Sequence, residues 1–121
     1  MKLRNNHLMI YYDPSSSLGR KTLAYAHTLT RHVQAVEYHK NPFTGRIWKD
    51  LLFMLQLQPK ELLNKAHPLY QQKVRGWEVQ EDDWLNVLIH NPDLIKGPIV
   101  VKGEKAILCS SPTDVLKLAN A

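Results

Sequence analysis

The first third of the chain places a strand, a tight polar turn, a helix and a second strand in succession, and this order limits the fold most. His7–Tyr12 is a continuous apolar and aromatic run that stops at Asp13-Pro14-Ser15-Ser16-Ser17, as a buried strand followed by a turn does. Apolar residues then recur at three-to-four spacing to about Thr30, with a serine available as the N-cap. Val33–His39 follows as a second strand. The order predicts a right-handed βαβ unit with two parallel strands.

Helices are predicted for the middle of the chain. The first carries an apolar stripe, and the second is a short helix that starts at Pro59 and runs through Leu63. A polar stretch at Tyr70–Gly76 separates them from a third helix, which opens with Glu81-Asp82-Asp83. The apolar positions of the first helix are Ile47, Leu51, Met54 and Leu55, and those of the third are Trp84, Leu85, Leu88 and Ile89.

The last quarter of the chain predicts a β-hairpin and a closing helix. Pro98–Val101 and Ala106–Cys109 are short apolar runs on either side of Gly103. A helix is expected from Pro112 to about Ala119, because Pro favours the first helical position and Ser111 precedes it as a candidate cap.

The chain has the size of one domain, since it contains 121 residues. The predicted order is βαβ, a helical insertion at about 43–90, a β-hairpin and a final helix. We therefore expect a single α/β domain over 1–121, with a four-stranded mixed sheet flanked by helices.

Cysteine and histidine usage limits the possible chemistry. Cys109 is the single cysteine, and one cysteine can form neither an intramolecular disulfide nor a multi-cysteine zinc site. The six histidines contain no pair four residues apart and no carboxylate arrangement typical of a metal site. We expect no metal. We interpret Cys109 as a small core residue at a strand end, with a displaced nucleophile as the alternative.

The formal net charge of +5 suits an acidic partner or an anionic ligand. Lys and Arg are scattered among Asp and Glu without a basic run, so nucleic acid is not an expected partner. Apolar stretches such as Leu51–Leu55 are far shorter than the roughly 18 residues that a membrane span needs. The N-terminus shows no cleavable small-residue site, so we expect a cytoplasmic protein with no membrane partner.

The first loop resembles a known active-site loop. The segment Tyr11-Tyr12-Asp13-Pro14-Ser15-Ser16-Ser17-Leu18-Gly19-Arg20-Lys21-Thr22-Leu23 is similar to that of glutaredoxin-coupled arsenate reductases and of Spx regulators. Ser16 takes the place of the reactive cysteine, and Gly19 takes that of the second cysteine in two-cysteine members. Arg20 fits the basic residue that follows the loop in both groups.

Two later segments extend the resemblance. Pro59–Lys65 resembles a short helix that carries an oxyanion-contacting arginine, and Lys60 holds that place. Asn91–Val101 resembles the most recognisable stretch of the family, with Gly97 where an arginine is expected. By the resemblance, Pro98 is the cis-proline that thioredoxin-like folds place opposite the active loop, and cis bonds are essentially confined to X-Pro.

Ile107–Leu116 resembles the last strand and helix start, with Ser111 at another arginine position. The similarity runs from about Leu8 to Leu118 and implies a thioredoxin-like α/β fold. A nucleophilic cysteine acts as a thiolate, whereas the hydroxyl of Ser16 stays protonated and has no redox chemistry.

The resemblance therefore implies a non-catalytic binding or regulatory module with no cofactor. Spx-like proteins use this fold to bind the RNA polymerase alpha subunit, and a comparable protein partner is expected here. The alternative is an arsenate reductase or glutathione-linked thiol oxidoreductase that works through Cys109 or an external thiol, with glutathione as its cofactor.

The first loop also suggests a small-oxyanion site, because a helix start offers free backbone N–H groups. The other interpretation is that its serines only cap the helix. The candidate anion-binding residues are Ser15, Ser16, Ser17, Arg20, Lys60 and Pro98.

Overall fold

A computed structural model describes residues 7–40, 44–74 and 83–119, and divides the chain into two compact units. The first unit joins the N-terminal segment Met1–Asn41 to the C-terminal segment Gly97–Ala121, and the second is Pro42–Lys96. Whether the chain behaves as one domain stays a prediction.

The first unit is an α/β layer structure that contains every strand of the described residues. Its elements are β1 (His7–Tyr12), α1 (Ser17–Leu29), β2 (His32–Glu37), β3 (Ile99–Lys102), β4 (Lys105–Leu108) and a C-terminal 3-10 helix (Pro112–Leu118).

The strands form one mixed sheet in the order β2-β1-β3-β4. β1 and β2 run parallel, as predicted for two strands joined by a helix, and His7 pairs with His32. β3 is antiparallel to both β1 and β4, and Gly103 makes the hairpin turn with a φ of 60°. Both hairpin strands begin and end within one residue of their predicted positions.

The core of this unit lies between the sheet and its two helices. α1 contributes Ala26, and the C-terminal 3-10 helix contributes Val115 and Leu118. Alternate residues of β1 point inward because successive strand side chains face opposite sides of the sheet. The buried cluster consists of Leu8, Ile10, Ala26, Val100, Cys109, Val115 and Leu118.

The second unit is helical. Its described elements are α2 (Gly45–Leu55), a 3-10 turn (Pro59–Leu62), a π-helical turn (Tyr70–Val74), α3 (Trp84–His90) and a 3-10 turn (Pro92–Leu94). An isolated bridge joins Leu63 to Ile95, and the N–H of Lys96 donates to the carbonyl of Leu62 at 2.6 Å. These bonds hold the segment after the first 3-10 turn against the last residues of the unit.

Several helix predictions need correction. The closing helix is 3-10 rather than α-helical, and Tyr70–Val74 is a helical turn rather than a plain polar stretch. The buried residues of α2 are Trp48, Leu51 and Leu52, of which only Leu51 belongs to the predicted stripe. Apolar residues cover most of α2, so their spacing alone did not select the buried face. In α3 Val87 is buried beside Trp84 and Leu88, whereas Leu85 and Ile89 are half-buried.

The predicted acidic opening of α3 is described only in part. Asp83 is the N-cap but accepts no side-chain capping bond, and Glu81 and Asp82 lie outside the described residues. Within the described part of the chain, none of the helices combines the length and apolar character that a membrane crossing requires.

Candidate functional site

The strand directions bring four segments of the first unit to one edge of the sheet. The carboxyl ends of β1, β2 and β4 lie there together with the start of β3, since Tyr11 pairs with Val36 and Ile99, and Ile99 pairs with Leu108. The residues that follow or precede these ends are the first loop, Tyr38, Pro98 and Cys109. The sheet thus gathers most of the predicted site residues at this edge.

The first loop is folded around the side chain and backbone of Asp13. Asp13 Oδ1 accepts hydrogen bonds from the N–H of Ser15 at 2.9 Å and from the Ser15 hydroxyl at 2.7 Å. The Asp13 carbonyl accepts a bond from the N–H of Ser16 at 3.0 Å. Such Asx-type bonds fix the tight turn between β1 and α1. The Ser15 hydroxyl is therefore already engaged within the loop.

Ser16 is the N-cap of α1, and it is one of the two serines, Ser16 and Ser17, that the sequence offered for this position. Its backbone is extended, with φ −85° and ψ 127°, and its Oγ accepts a hydrogen bond from the N–H of Gly19 at 3.1 Å. An N-cap of this kind stabilises a helix by typically about 1 kcal/mol. Ser16 is half-buried, while the neighbouring Ser15 and Ser17 are exposed.

Gly19 is held in close contact with the loop. A Cβ atom at this position would lie 2.8 Å from the Asp13 carbonyl oxygen, a separation that real Cβ atoms essentially never show. The backbone would have to shift before any side chain could occupy position 19. By the resemblance this is the place of a second cysteine, and this loop has no room for one without rearrangement.

Arg20 turns back over the loop. Its Nη1 donates a hydrogen bond to the Pro14 carbonyl at 2.9 Å, and its backbone N–H donates to the Ser16 carbonyl at 3.0 Å. The side chain is exposed. The guanidinium is thus near the helix start, with one of its five N–H donors used to brace the turn.

The Gly97–Pro98 peptide bond is cis, as the resemblance implies. The Pro98 carbonyl accepts a hydrogen bond from the N–H of Cys109 at 2.9 Å. A Cβ atom at Gly97 would lie 3.2 Å from the hydroxyl oxygen of Tyr38, which is itself only 6% exposed. The Tyr38 ring therefore crowds the position where an arginine is expected.

Cys109 belongs to the buried core of the first unit and is 2% exposed. The pKa of its thiol is raised to about 12, mainly by burial and also by the nearby Asp114 carboxylate, against a smaller lowering by Lys117. Metal ligation and nucleophilic attack both need the thiolate. The protonated, buried form is the inert one.

The second serine-rich segment, after β4, is organised by Asp114. Its Oδ2 accepts hydrogen bonds from the N–H of Ser110 at 2.8 Å, the hydroxyl of Ser110 at 3.0 Å and the N–H of Ser111 at 3.1 Å. The backbone bonds from Ser110 and Ser111, the Ser110 hydroxyl and Lys117 lower the pKa of the Asp114 carboxyl. A carboxylate of this chain thus already occupies the start of the C-terminal 3-10 helix.

Lys60 lies in the second unit, on the 3-10 turn Pro59–Leu62. Its Nζ stands 5.3 Å from the centroid of the Trp84 ring, within the range of a cation–π contact. The Glu61 carboxylate caps the same turn by accepting the N–H of Gln58 at 2.7 Å. The role predicted for Lys60 in oxyanion binding stays a prediction.

Sequence reasoning missed two residues at this edge. Asp114 had a signal, because Ser111-Pro112-Thr113-Asp114 has the Ser-x-x-Asp spacing of a capping box. Tyr38 had none, since its contact with Gly97 joins residues far apart in the chain. Among the described residues, no group of three or more His, Cys, Asp or Glu side chains could hold a metal ion.

Comparison with known proteins gives consistent matches over nearly the whole chain. The sequence profile of the ArsC family matches residues 11–118. The uncharacterized protein YfgD of Escherichia coli (strain K12) is 28% identical over 111 residues, covering 90% of this chain and 93% of that protein.

Solved structures also match nearly the whole chain. A putative arsenate reductase from Yersinia pestis has a TM-score of 0.83 and 30% identity, covering 91% of this chain and 98% of its own. Arsenate reductase from Vibrio cholerae has a TM-score of 0.85 and 25% identity, covering 95% and 99%. These likenesses confirm the predicted thioredoxin-like α/β fold with a four-stranded mixed sheet.

Proposed function

The chain belongs to the ArsC family, and from that membership we propose that it acts as a non-catalytic binding or regulatory module on a thioredoxin-like scaffold. One observation carries the proposal. The only thiol of the chain, Cys109, is buried in the core with its pKa raised to about 12, whereas the helix start at the sheet edge presents Ser16. A serine hydroxyl there cannot replace a thiolate in redox chemistry.

The surroundings of Ser16 support the same proposal. By the family resemblance, positions 16 and 19 are the places of the two redox cysteines. Ser16 is used as the cap of α1, and position 19 lacks room for a side chain. At position 97, the Tyr38 hydroxyl crowds the space next to Gly97. The loop in this conformation therefore has no room for the second of the two cysteines, at position 19.

An arsenate reductase or glutathione-linked thiol oxidoreductase is the second candidate. The printed names of the Yersinia pestis and Vibrio cholerae proteins favour it, since both are described as arsenate reductases. Such a reaction would have to open the core around Cys109 or rely on an external thiol such as glutathione. The non-catalytic proposal involves no cofactor.

The test is arsenate reduction by the purified protein with glutathione, glutaredoxin, glutathione reductase and NADPH, with an active arsenate reductase run in parallel. We expect NADPH consumption equal to the protein-free blank for both the natural chain and Cys109→Ala. Activity that Cys109→Ala abolishes would establish the second candidate. Activity that survives Cys109→Ala would establish catalysis with an external thiol and would equally contradict the proposal.

The partner of the module is proposed from the likeness to Spx regulators, and the RNA polymerase alpha subunit is the first to try. Titration of purified alpha subunit into the protein by calorimetry tests this directly. Saturable 1:1 binding supports the Spx-like role. Absence of heat at high micromolar concentration removes this partner.

A small oxyanion at the first loop is a separate proposal. Ser17 is exposed, but Ser15, Ser16 and Arg20 already bond within the loop. Titration with phosphate or arsenate tests the site by NMR. Amide shifts centred on Ser16 to Arg20 support anion binding, and unchanged shifts leave capping as the sole role of these serines.

A further inference from the structure

One edge of the sheet in the first unit is open. β2 is the outermost strand in the order β2-β1-β3-β4, and its far side meets no other strand among the described residues. Ala35, in the middle of β2, is exposed, so α1 does not cover this edge there. An edge strand of this kind presents unpaired backbone N–H and C=O groups, which bind another extended segment readily.

The open backbone groups of β2 can be assigned to particular residues. Tyr38, directly after β2, donates its N–H to the carbonyl of Tyr12 at 3.4 Å, and so points its N–H toward β1. The backbone groups of successive strand residues point to opposite sides of the strand within the sheet. Counting back from Tyr38, Val33 and Ala35 point their N–H and C=O groups away from β1, to the open edge.

The two edges of the sheet differ in how they are protected against pairing. β4 has only four residues and begins with Lys105, which is exposed. Short edge strands and lysine side chains are both devices that keep an edge from pairing with another chain. β2 has six residues and contains neither lysine nor proline. Of the two edges, β2 is therefore the one that suits an added strand.

The segment Arg31–Glu37 is complementary to itself when two copies of it run antiparallel. With Gln34 of one copy opposite Gln34 of the other, Arg31 lies opposite Glu37, and Val33 lies opposite Ala35. Opposite charges and apolar side chains that lie directly across a strand pair both stabilise the pair. We propose that two copies of this chain associate by antiparallel pairing of β2 about Gln34, which joins their four-stranded sheets into one continuous sheet.

This register satisfies the open backbone groups. Val33 of one copy and Ala35 of the other both point their backbone groups into the new contact. Residues that oppose each other in this way exchange both of their N–H···O=C hydrogen bonds. The two-fold symmetry repeats the exchange on the other side of Gln34, because an isologous contact uses the same residues from both copies.

The charged residues at the two ends select this register. Moving the centre to Ala35 would place Glu37 opposite Val33 and would leave Arg31 without its carboxylate. The Glu37 carboxylate lies 3.5 Å from Nζ of Lys40 in its own chain, on the surface. Arg31 of the second copy adds to this ion pair and makes a network of three charges, the arrangement in which surface ion pairs contribute most.

The test exchanges the charges at the two ends in the full chain. Arg31→Glu places a carboxylate opposite Glu37 at both ends of the pairing, and Glu37→Arg places a guanidinium opposite Arg31. Each variant alone should self-associate at least about tenfold more weakly than the natural chain. Mixed in equal amounts, the two variants regain opposite charges at both ends and should form a 1:1 dimer of about the natural affinity.

Sedimentation velocity at protein concentrations of about 10–500 μM measures these associations. Lys105→Glu is the matched control, because it reverses an exposed cation on the other edge of the sheet. It should leave the self-association unchanged.

Amide hydrogen exchange of the natural chain locates the contact without any substitution. Exchange at Val33 and Ala35 should slow as the protein concentration rises, because their N–H groups become bonded in the dimer. Ala106 is the comparison on β4. The N–H of Cys109 donates to the carbonyl of Pro98, so by the same alternation the N–H of Ala106 points to the other edge, and its exchange should not depend on concentration.

Four results would overturn the inference. A natural chain that stays monomeric would leave β2 to an extended segment of another protein. Protection of Val33 and Ala35 at every concentration would assign the edge to a segment of the same chain. Association that neither charge variant weakens would lie on another surface, and variants that fail to pair on mixing would contradict the register. None of these results depends on the arsenate assay, since pairing through β2 is compatible with either candidate function.

Discussion

Two helices begin at the same edge of the sheet in the first unit, and their serines are used in opposite ways. At the start of α1 the Ser16 hydroxyl accepts from the N–H of Gly19, the first turn contains no acidic residue, and the Asp13 carboxylate bonds to Ser15, before the helix. At the start of the C-terminal 3-10 helix, Asp114 takes the N–H groups of Ser110 and Ser111. The N-terminus of α1 thus suits a negative charge, and the N-terminus of the C-terminal 3-10 helix already holds one.

The only thiol of the chain lies beside the start of the C-terminal 3-10 helix, not beside the start of α1. Cys109 precedes Ser110 and is buried, with a carboxylate nearby that opposes the thiolate. Under the proposed non-catalytic function, this difference explains why the scaffold keeps both helix starts without a reactive thiol at either one. The reactivity of a thiol on this scaffold depends on which helix N-terminus it lies beside and on whether a carboxylate lies near it.

The largest expected effect comes from placing a cysteine at each start. Ser16→Cys should react with a disulfide reagent at pH 7 at least about tenfold faster than Ser110→Cys. The start of α1 should lower the pKa of a thiol at position 16, whereas the Asp114 carboxylate should raise the pKa of a thiol at position 110. Stopped-flow rates across pH give both pKa values. Exposure alone favours Ser110, which is exposed while Ser16 is half-buried, so faster reaction at Ser110→Cys would contradict the comparison.

The tight loop before α1 gives the next effect. Gly19→Ala should lower the free energy of unfolding by about 1–3 kcal/mol, because its Cβ would stand 2.8 Å from the Asp13 carbonyl. Gly45→Ala is the matched control. Its Cβ would meet only Ile89 and Leu85 side chains at 3.8 and 4.0 Å, so it should be neutral or gain about 0.4–1 kcal/mol. Urea denaturation measures both, and equal effects would refute the close contact at Gly19.

The far end of the C-terminal 3-10 helix gives a smaller effect. Lys102 Nζ donates to the Leu118 carbonyl at 2.9 Å and to the Ala119 carbonyl at 3.2 Å. Lys102→Met keeps the stem but removes both bonds, and should lower the free energy of unfolding by about 1 kcal/mol. Lys105→Met, on an exposed strand position, is the control. No difference between the two variants would show that this helix end needs no cation.

The smallest effect is the pH dependence that Asp114 adds. Its pKa is lowered in the folded chain, so its contribution is present above the unfolded pKa of about 3.9 and is lost as pH falls through the folded pKa. Asp114→Asn should therefore lose stability at pH 7 and approach the natural chain at pH 2. Urea midpoints from pH 2 to 7 measure the gap, and a constant gap would contradict the lowered pKa.

How much was predictable from the sequence differs between the two units. In the first unit the βαβ order, the hairpin at Gly103 and the Ser16 cap followed from local patterns, since strands, turns and caps have short-range signals. In the second unit the buried face of α2 was predicted only in part, since Leu51 is buried as expected but Trp48 and Leu52 were not named. Apolar residues cover most of α2, and only its neighbours decide which of them are buried.

The site was predictable only where a motif lies within one segment. The first loop and cis Pro98 followed from the family resemblance, and Asp114 was readable as a capping pattern. The crowding of Gly97 by Tyr38 depends on a contact between separate segments. Such contacts leave no local signal in a single sequence.

Reaction of Cys109 in the natural chain with a disulfide reagent, followed at increasing urea, tests the central claim most directly. The account predicts very slow labelling without urea and a rate that rises exponentially with the same slope as global unfolding, because the thiol is reached only when the core opens. Fast labelling without urea, with a rate insensitive to urea, would contradict the account. It would show that the native protein presents a usable thiol.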